Sequence, residues 1–152
     1  MIGFMSSFFM CGELAMSEAS AGDASAIAAL YGASFQRGWS EQEIEGLLLD
    51  RHVVTHRALM GAKLAGFIMS RLIEGEAEIL SVAVARRQRG RGLARKLLNL
   101  NLRRLAGLGA RAVFLEVDEH NYPALRLYTE PASARYRAEA NARNRTRPLL
   151  LP

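Results

Sequence analysis

A short apolar run, Val82-Ala83-Val84, leads into Arg89-Gly90-Arg91-Gly92, and a leucine-striped segment follows at once. This order constrains the chain more than any other feature, because it sets a glycine-rich turn between a strand and a helix. Leu93, Leu97, Leu98, Leu100, Leu102 and Leu105 fall largely on one helical face, and Gly107 and Gly109 end the pattern. A strand–turn–helix junction of this kind is an anion trap. Glycines let the backbone come close, successive N–H groups point outward, and the helix N-terminus adds positive potential where a pyrophosphate can sit. The plainer reading of the same arginines is a solvated basic helix start. A Walker loop needs a Gly-Lys-Ser/Thr ending and a Rossmann fingerprint needs wider glycine spacing, so neither fits.

Around this junction the chain reads as one mixed α/β domain, and 152 residues suffice for a single core. Asp23 can cap a first helix through Ile27, Leu30 and Tyr31 to about Phe35. Ser40 and Glu43 stand at capping-box spacing before Ile44, Leu47, Leu48 and Leu49, which predicts a second helix. Residues 53–59, 64–71 and 76–84 gather β-branched and apolar side chains, with Gly61 and Gly75 in the gaps, and predict three antiparallel strands. Gly66 inside the second run marks a bulge or a close backbone approach. Residues 112–117 predict a further strand and 123–128 a short helix. Beyond Tyr128 the chain is rich in Ala and Arg with no sustained period, and no sheet is expected there.

Residues 1–16 hold an apolar run too short to cross a bilayer and lacking a basic leader, so no membrane partner is expected; the segment is read as disordered or extra, with Met16 a candidate start. Cys11 has no cysteine partner, which fits a reducing compartment and makes the cytoplasm the default. Twenty Lys and Arg against 15 Asp and Glu give a formal charge of +5, concentrated between Arg86 and Arg104 and after Arg126. Such an excess favours anionic ligands in general, without separating a nucleotide phosphate from RNA or an acidic protein. The domain division is therefore 1–16, a core at 17–128, and an atypical tail at 129–152.

Two further segments carry chemistry. Phe114-Leu115-Glu116-Val117 sets a carboxylate in an apolar strand, where an ionised group is costly unless water, a partner or a pocket receives it. If Glu116 faces a cleft, burial raises its proton affinity toward the range useful to a general base; a solvent-facing sheet surface is the alternative. Asn121-Tyr122-Pro123-Ala124-Leu125-Arg126-Leu127-Tyr128 is an Asn-headed turn into a helix ending in a phenol, in which Asn121 is also readable as an N-cap and Tyr128 as core. His52 and His56 have the spacing of a helical ligand pair but adjoin a strand and lack a third ligand, so no metal is expected. His120 reads as a solvated loop histidine, and Trp39 as a packing residue or a wall of an acceptor groove.

Taken together, the phosphate turn, Phe-Leu-Glu-Val, and Asn followed by Ala-x-x-Leu-Tyr resemble the GNAT superfamily of N-acetyltransferases. Within it, the order and separation are most similar to the bacterial ribosomal-protein alanine acetyltransferases called RimI. Arg87, Gly90 and Gly92 meet the superfamily's Gln/Arg-x-x-Gly-x-Gly/Ala pattern, and the likeness extends upstream through Trp39-Ser40 and Glu78-Ile79-Leu80 to span most of residues 23–128. The resemblance implies a twisted mixed sheet with flanking helices and acetyl-CoA, the cosubstrate, in the splay between the strands ending at Val84 and starting near Ala112. It implies that the pantetheine arm pairs with the backbone of Val82, Ala83 and Val84, one of which donates to the thioester carbonyl, and that Asn121 touches the cofactor arm. Arg89, Gly90, Arg91, Gly92, Leu93, Ala94 and Arg95 then surround the pyrophosphate. Glu116 becomes the general base, directly or through water, and Tyr128 the acid that protonates the departing thiolate. The implied acceptor is a protein N-terminus, that of a ribosomal protein beginning with alanine; no DNA partner is implied.

After Tyr128 the family's Gly-Phe and closing hairpin are replaced by Thr129-Glu130-Pro131-Ala132-Ser133, so the C-terminal hairpin is atypical or missing. Its loss is expected to bare one sheet edge and favour a homodimer. GC-rich codons for residues 129–136, read one frame away, spell Arg-Ala-Gly-Phe-Arg-Glu-Val, so a frameshift is a working hypothesis; an uninterrupted frame in independent isolates refutes it. Two rival readings stand beside the enzyme. One is an acetyl-CoA-binding protein with impaired catalysis, and the other a basic RNA- or ribosome-binding module.

Overall fold

The computed structural model describes residues 12–35, 39–116 and 146–150, with residues 115, 116 and 146–150 described by backbone alone. Six strands form one sheet in sequence order. They are β1 Leu14–Glu18, β2 Val53–Met60, β3 Lys63–Ile73, β4 Glu76–Val84, β5 Ala112–Glu116 and β6 Thr146–Leu150. Strands β1 to β4 pair antiparallel, β4 and β5 pair parallel, and β6 lies antiparallel to β5. The helices are α1 Ala24–Ser34, α2 Glu41–Leu49 and α3 Leu93–Gly107. The mixed sheet with flanking helices is the architecture expected from the sequence.

Helix α3 makes the crossover that a parallel β4–β5 pair requires. Its stripe of Leu93, Leu97, Leu98, Leu102 and Leu105 is buried against Ile68, Ile79, Val84 and Val113 on one face of the sheet. Burying each such leucine contributes about 1.5–3 kcal/mol, so this face anchors the domain. On the opposite face, Ile27 of α1 and Ile44 of α2 pack on Phe67, Met69 and Ala83. Helix α2 starts at the expected capping box: Ser40 Oγ accepts from the Glu43 amide at 3.1 Å, and the Glu43 carboxylate accepts from the Ser40 amide at 2.7 Å. Asp23 departs from expectation. Its side chain does not cap α1 but turns back to the Ser20 amide at 2.8 Å and to the Arg57 guanidinium, because a 3-10 turn at Ala21–Asp23 precedes the helix.

Both sheet ends differ from the sequence reading. Leu14, Ala15 and Met16, assigned above to an extra segment, pair with Met60, Leu59 and Ala58. At the other end, the edge of β5 expected to be bare carries β6, with Leu150 opposite Ala112 and Thr146 opposite Glu116. Backbone ladders make both strands, and β1 buries little, so no hydrophobic alternation announces it.

Candidate functional site

Strands β4 and β5 pair only from Glu76↔Ala112 to Ile79↔Leu115. Beyond that point β4 runs on to Val84, and among the described residues it pairs there with β3 alone, through Ser81↔Met69, Val82↔Ile68, Ala83↔Phe67 and Val84↔Gly66. Residues of an antiparallel strand alternate in the side to which their N–H and C=O point. The unpaired stretch of β4 therefore aims alternate backbone donors and acceptors into the gap beside β5, where an extended polar chain can be received as a strand would be. A register shift between Met69 and Ser70 leaves Leu80 unmatched, a bulge placed where the two strands part. Close approach beside it depends on Gly66: an added Cβ there would lie 3.0 Å from the Ala83 carbonyl oxygen and 3.1 Å from Leu97.

At the end of β4 the chain turns through exposed residues into α3. Gly90 and Gly92 have φ of 77° and 75°, a left-handed conformation in which a β-carbon is costly. No side chain caps α3: Gly92 is its N-cap. The first amides of a helix have no carbonyl four residues back, so this end offers donors to an anion. Among the described residues nothing lies within 4 Å of a Cβ placed on Gly90 or Gly92. Arg89 does not reach outward entirely; its Nε donates to the Val84 carbonyl at 3.1 Å and ties the turn to the strand. Arg91 stands exposed with its guanidinium 3.5 Å from the Gln88 amide oxygen. The turn thus presents the start of α3, at Leu93 and Ala94, with basic residues Arg91 and Arg95 on either side, an arrangement suited to an anion.

A 3-10 turn at Arg86–Gln88 links Val82, Ala83 and Val84 to residues 89–95. Position 116 ends β5, one residue past the last β4–β5 pair, so the backbone brings it to the mouth of the gap. Asn121 and Tyr128 lie outside the described residues, as do His120 and Cys11. Trp39 packs: its ring stacks on Tyr31 with centroids 4.8 Å apart. Among the described residues no cluster of ligands suits a metal. His52 instead sits 3.2 Å from the Asp50 carboxylate, and His56 is buried under α3.

Sequence reasoning missed Asn101, fully buried within the leucine stripe. Its Oδ1 accepts from Ser70 Oγ at 2.5 Å, and its Nδ2 donates to the Val54 carbonyl at 3.3 Å and to His56 Nδ1 at 3.0 Å. Burial holds His56 below its usual pKa. An asparagine on an apolar helical stripe was the available signal. Also missed was a cleft of about 500 Å³ on the α1/α2 face, lined by Arg71, Ile73, Glu76, Glu78, Arg111 and Phe114.

A family model for the GNAT acetyltransferases matches residues 24–132. No curated protein matches the sequence. Among solved structures, the ribosomal-protein-S18-alanine N-acetyltransferase of Escherichia coli superposes with a TM-score of 0.74 at 20% identity, covering 90% of each chain. NAA60 of Arabidopsis thaliana in complex with acetyl-CoA gives 0.73 at 19% identity, over 91% of this chain and 97% of that one. An aminoglycoside acetyltransferase from an uncultured soil metagenomic sample gives 0.71 at 20%, over 85% and 91%. At such identities the structures show the shared fold. The family match, over most of the chain and across the whole of the splayed site, establishes that the protein belongs to the GNAT family of acetyltransferases and takes its acetyl group from acetyl-CoA.

Proposed function

We propose that this enzyme acetylates the α-amine of a protein N-terminus, with a ribosomal protein that begins with alanine as the first acceptor to try. The observation carrying the reading is the end of β4–β5 pairing at Ile79↔Leu115, which sets a carboxylate-bearing position beside the gap. In this reading the backbone of Val82 to Val84 receives the pantetheine arm, Asn121 touches it, and the turn from Arg89 to Arg95 holds the diphosphate. A backbone N–H of β4 stabilises the negative charge that grows on the thioester oxygen. Glu116 accepts the proton from the incoming amine and Tyr128 returns one to the thiolate, so no covalent enzyme intermediate is required.

The preference for an α-amine rests on proton affinity. Free α-amino groups have a pKa of about 7.7–8.0, against about 10.4 for lysine, so far less work is needed to expose the lone pair near neutral pH. The Escherichia coli relative is named for an alanine N-terminus, and NAA60 was also solved with a bisubstrate analogue. The aminoglycoside enzyme shows that the same fold accepts other amines. The test is mass spectrometry of acetyl transfer to a panel of alanine-, serine- and methionine-initiated peptides, a lysine peptide with a blocked terminus, and sisomicin. Transfer to the α-amine of alanine-initiated peptides supports the reading; transfer to lysine or sisomicin alone overturns it. The family match stops at residue 132, so the second reading, capture of acetyl-CoA without turnover, also has an observation behind it. Calorimetric binding of acetyl-CoA with no product from any acceptor would select it.

A further inference from the structure

Ser81 is 7% exposed, and its Oγ has no hydrogen-bond partner among the described residues. Leaving a hydroxyl buried and unpaired is costly, and alanine at the same place would remove the cost. Only one other described side chain is in this condition, Thr55. The two are not equivalent. Thr55 on β2 pairs with Met69 on β3, and Met69 pairs in turn with Ser81 on β4, so the three form one row across the sheet on the α1/α2 face. Thr55 lies at the end of that row farthest from β5, whereas Ser81 follows the Leu80 bulge on the strand that borders the gap.

The face matters as well. Glu78 pairs with Arg71 in β3 and with Phe114 in β5, and Phe114 lines the cleft on the α1/α2 face. By the two-residue repeat of a strand, position 116 belongs to Phe114's face, which is also the face of Ser81. A buried hydroxyl that both donates and accepts thus shares a face of the sheet with position 116, at the end of the neighbouring strand. It sits two residues beyond the last β4–β5 pair, Ile79↔Leu115.

Resting on the reading of Glu116 as the base, we propose that Ser81 is a positioning residue for acetyl transfer: its hydroxyl holds the water that relays the acceptor's proton to Glu116. The water takes a proton from the acceptor nitrogen as it gives one of its own to the carboxylate, so it is unchanged. The freed lone pair attacks the thioester carbonyl carbon to form the C–N bond, the C–S bond breaks, and the thiolate takes a proton from Tyr128, which the second proton shed by the acylated nitrogen replaces. A bridging water is nearly as good enthalpically as a direct hydrogen bond, and Ser81 would lower the cost of keeping it in place.

The experiment compares Ser81→Ala, Ser81→Thr, Glu116→Gln and the Ser81→Ala/Glu116→Gln double variant, using whichever acceptor of the panel above the wild type acetylates fastest. Ser81→Ala is expected to lose about tenfold in kcat, a part of the ~10²–10⁴ that proton transfer supplies. KM for acetyl-CoA should stay within about twofold, Ser81→Thr should recover the rate, and Ser81→Ala should cost nothing further in the Glu116→Gln background. A Ser81→Ala enzyme at full rate with a raised Tm means the hydroxyl is only an unpaired group, and overturns the proposal while leaving Glu116 untouched. An undiminished rate in Glu116→Gln instead removes the base, and the relay with it. A crystal structure with acetyl-CoA gives an answer independent of rate: an ordered water on Ser81 Oγ supports the relay, and a hydroxyl bonded only to protein atoms ends it.

Discussion

The two faces of this sheet treat the buried hydroxyls of their strands in opposite ways. Under α3, Ser70, Asn101 and His56 are joined in one network together with the Val54 carbonyl. Under α1 and α2, the hydroxyls of Thr55 and Ser81 are buried with no partner among the described residues. A low-dielectric interior strengthens hydrogen bonds that are made and makes those left unmade expensive, so satisfied networks rigidify a core. The α3 face is therefore read as the scaffold. The α1/α2 face holds the cleft, the bulge at Leu80 and the position of Glu116, and is read as the working side.

The sharpest break between the faces is in what a substitution changes. Glu116→Gln and Tyr128→Phe are each expected to reduce kcat by about 10²–10⁴, with acetyl-CoA affinity and Tm nearly unchanged. Steady-state kinetics beside calorimetry and a melting curve reads both quantities, and unaltered rates in the pair would remove the proposed roles. Asn101→Ala is expected to do the reverse. It orphans Ser70 Oγ and the His56 ring nitrogen and leaves a cavity under α3, so a loss of about 2–4 kcal/mol is expected in urea unfolding, with the kcat of the folded fraction retained. If Asn101→Ala is as stable as the wild type, the network is not the scaffold it is taken to be.

A smaller effect follows from His56. Asn101 Nδ2 is a donor only, so His56 Nδ1 must accept, which requires the neutral ring; burial acts in the same direction and lowers the pKa from its ordinary 6.5. The unfolded chain then binds the proton more readily than the folded one. Stability contributed by the neutral ring is complete above about pH 6.5 and declines as the pH falls from there toward the lower folded-state value. Urea unfolding at pH 7.5 and 5.5 should show this decline, and His56→Gln should show less of it. An equal slope in the variant would place the acid sensitivity elsewhere.

How much of this was open to reading in the sequence depends on what makes each element. The α3 stripe and the Ser40–Glu43 box were legible because period and capping are local. Gly90 and Gly92 were legible because only glycine holds their positive φ cheaply. Strand β1 was not, since one backbone ladder on a sheet edge leaves no alternation of apolar residues. Strand β6 was hidden further by Pro148, which a central strand excludes and an edge strand tolerates. The position of Glu116 beside the gap was implied by family likeness; the backbone register supplies the physical reason. Asn101 was passed over because helical period ranks residues by apolarity, and a polar residue on the stripe reads as noise until its partners from β2 and β3 are seen.

The smallest expected effect bears most directly on the unpaired hydroxyls. Thr55→Val keeps the shape of the side chain and removes its orphaned oxygen, so the cost of burying that oxygen without a bond disappears. Thr55 is remote from β5 in the strand order, and nothing in the proposed chemistry uses it. The variant should be as stable as the wild type or more so, by up to about 1 kcal/mol, with kcat unchanged. Set beside Ser81→Ala it forms a control, because both changes delete an unpaired hydroxyl from one row on one face. If both variants keep their rate, the row is merely imperfect packing. If Thr55→Val loses activity as Ser81→Ala is expected to, the effect comes from disturbing the face as a whole, and the distinction drawn from distance to the gap fails.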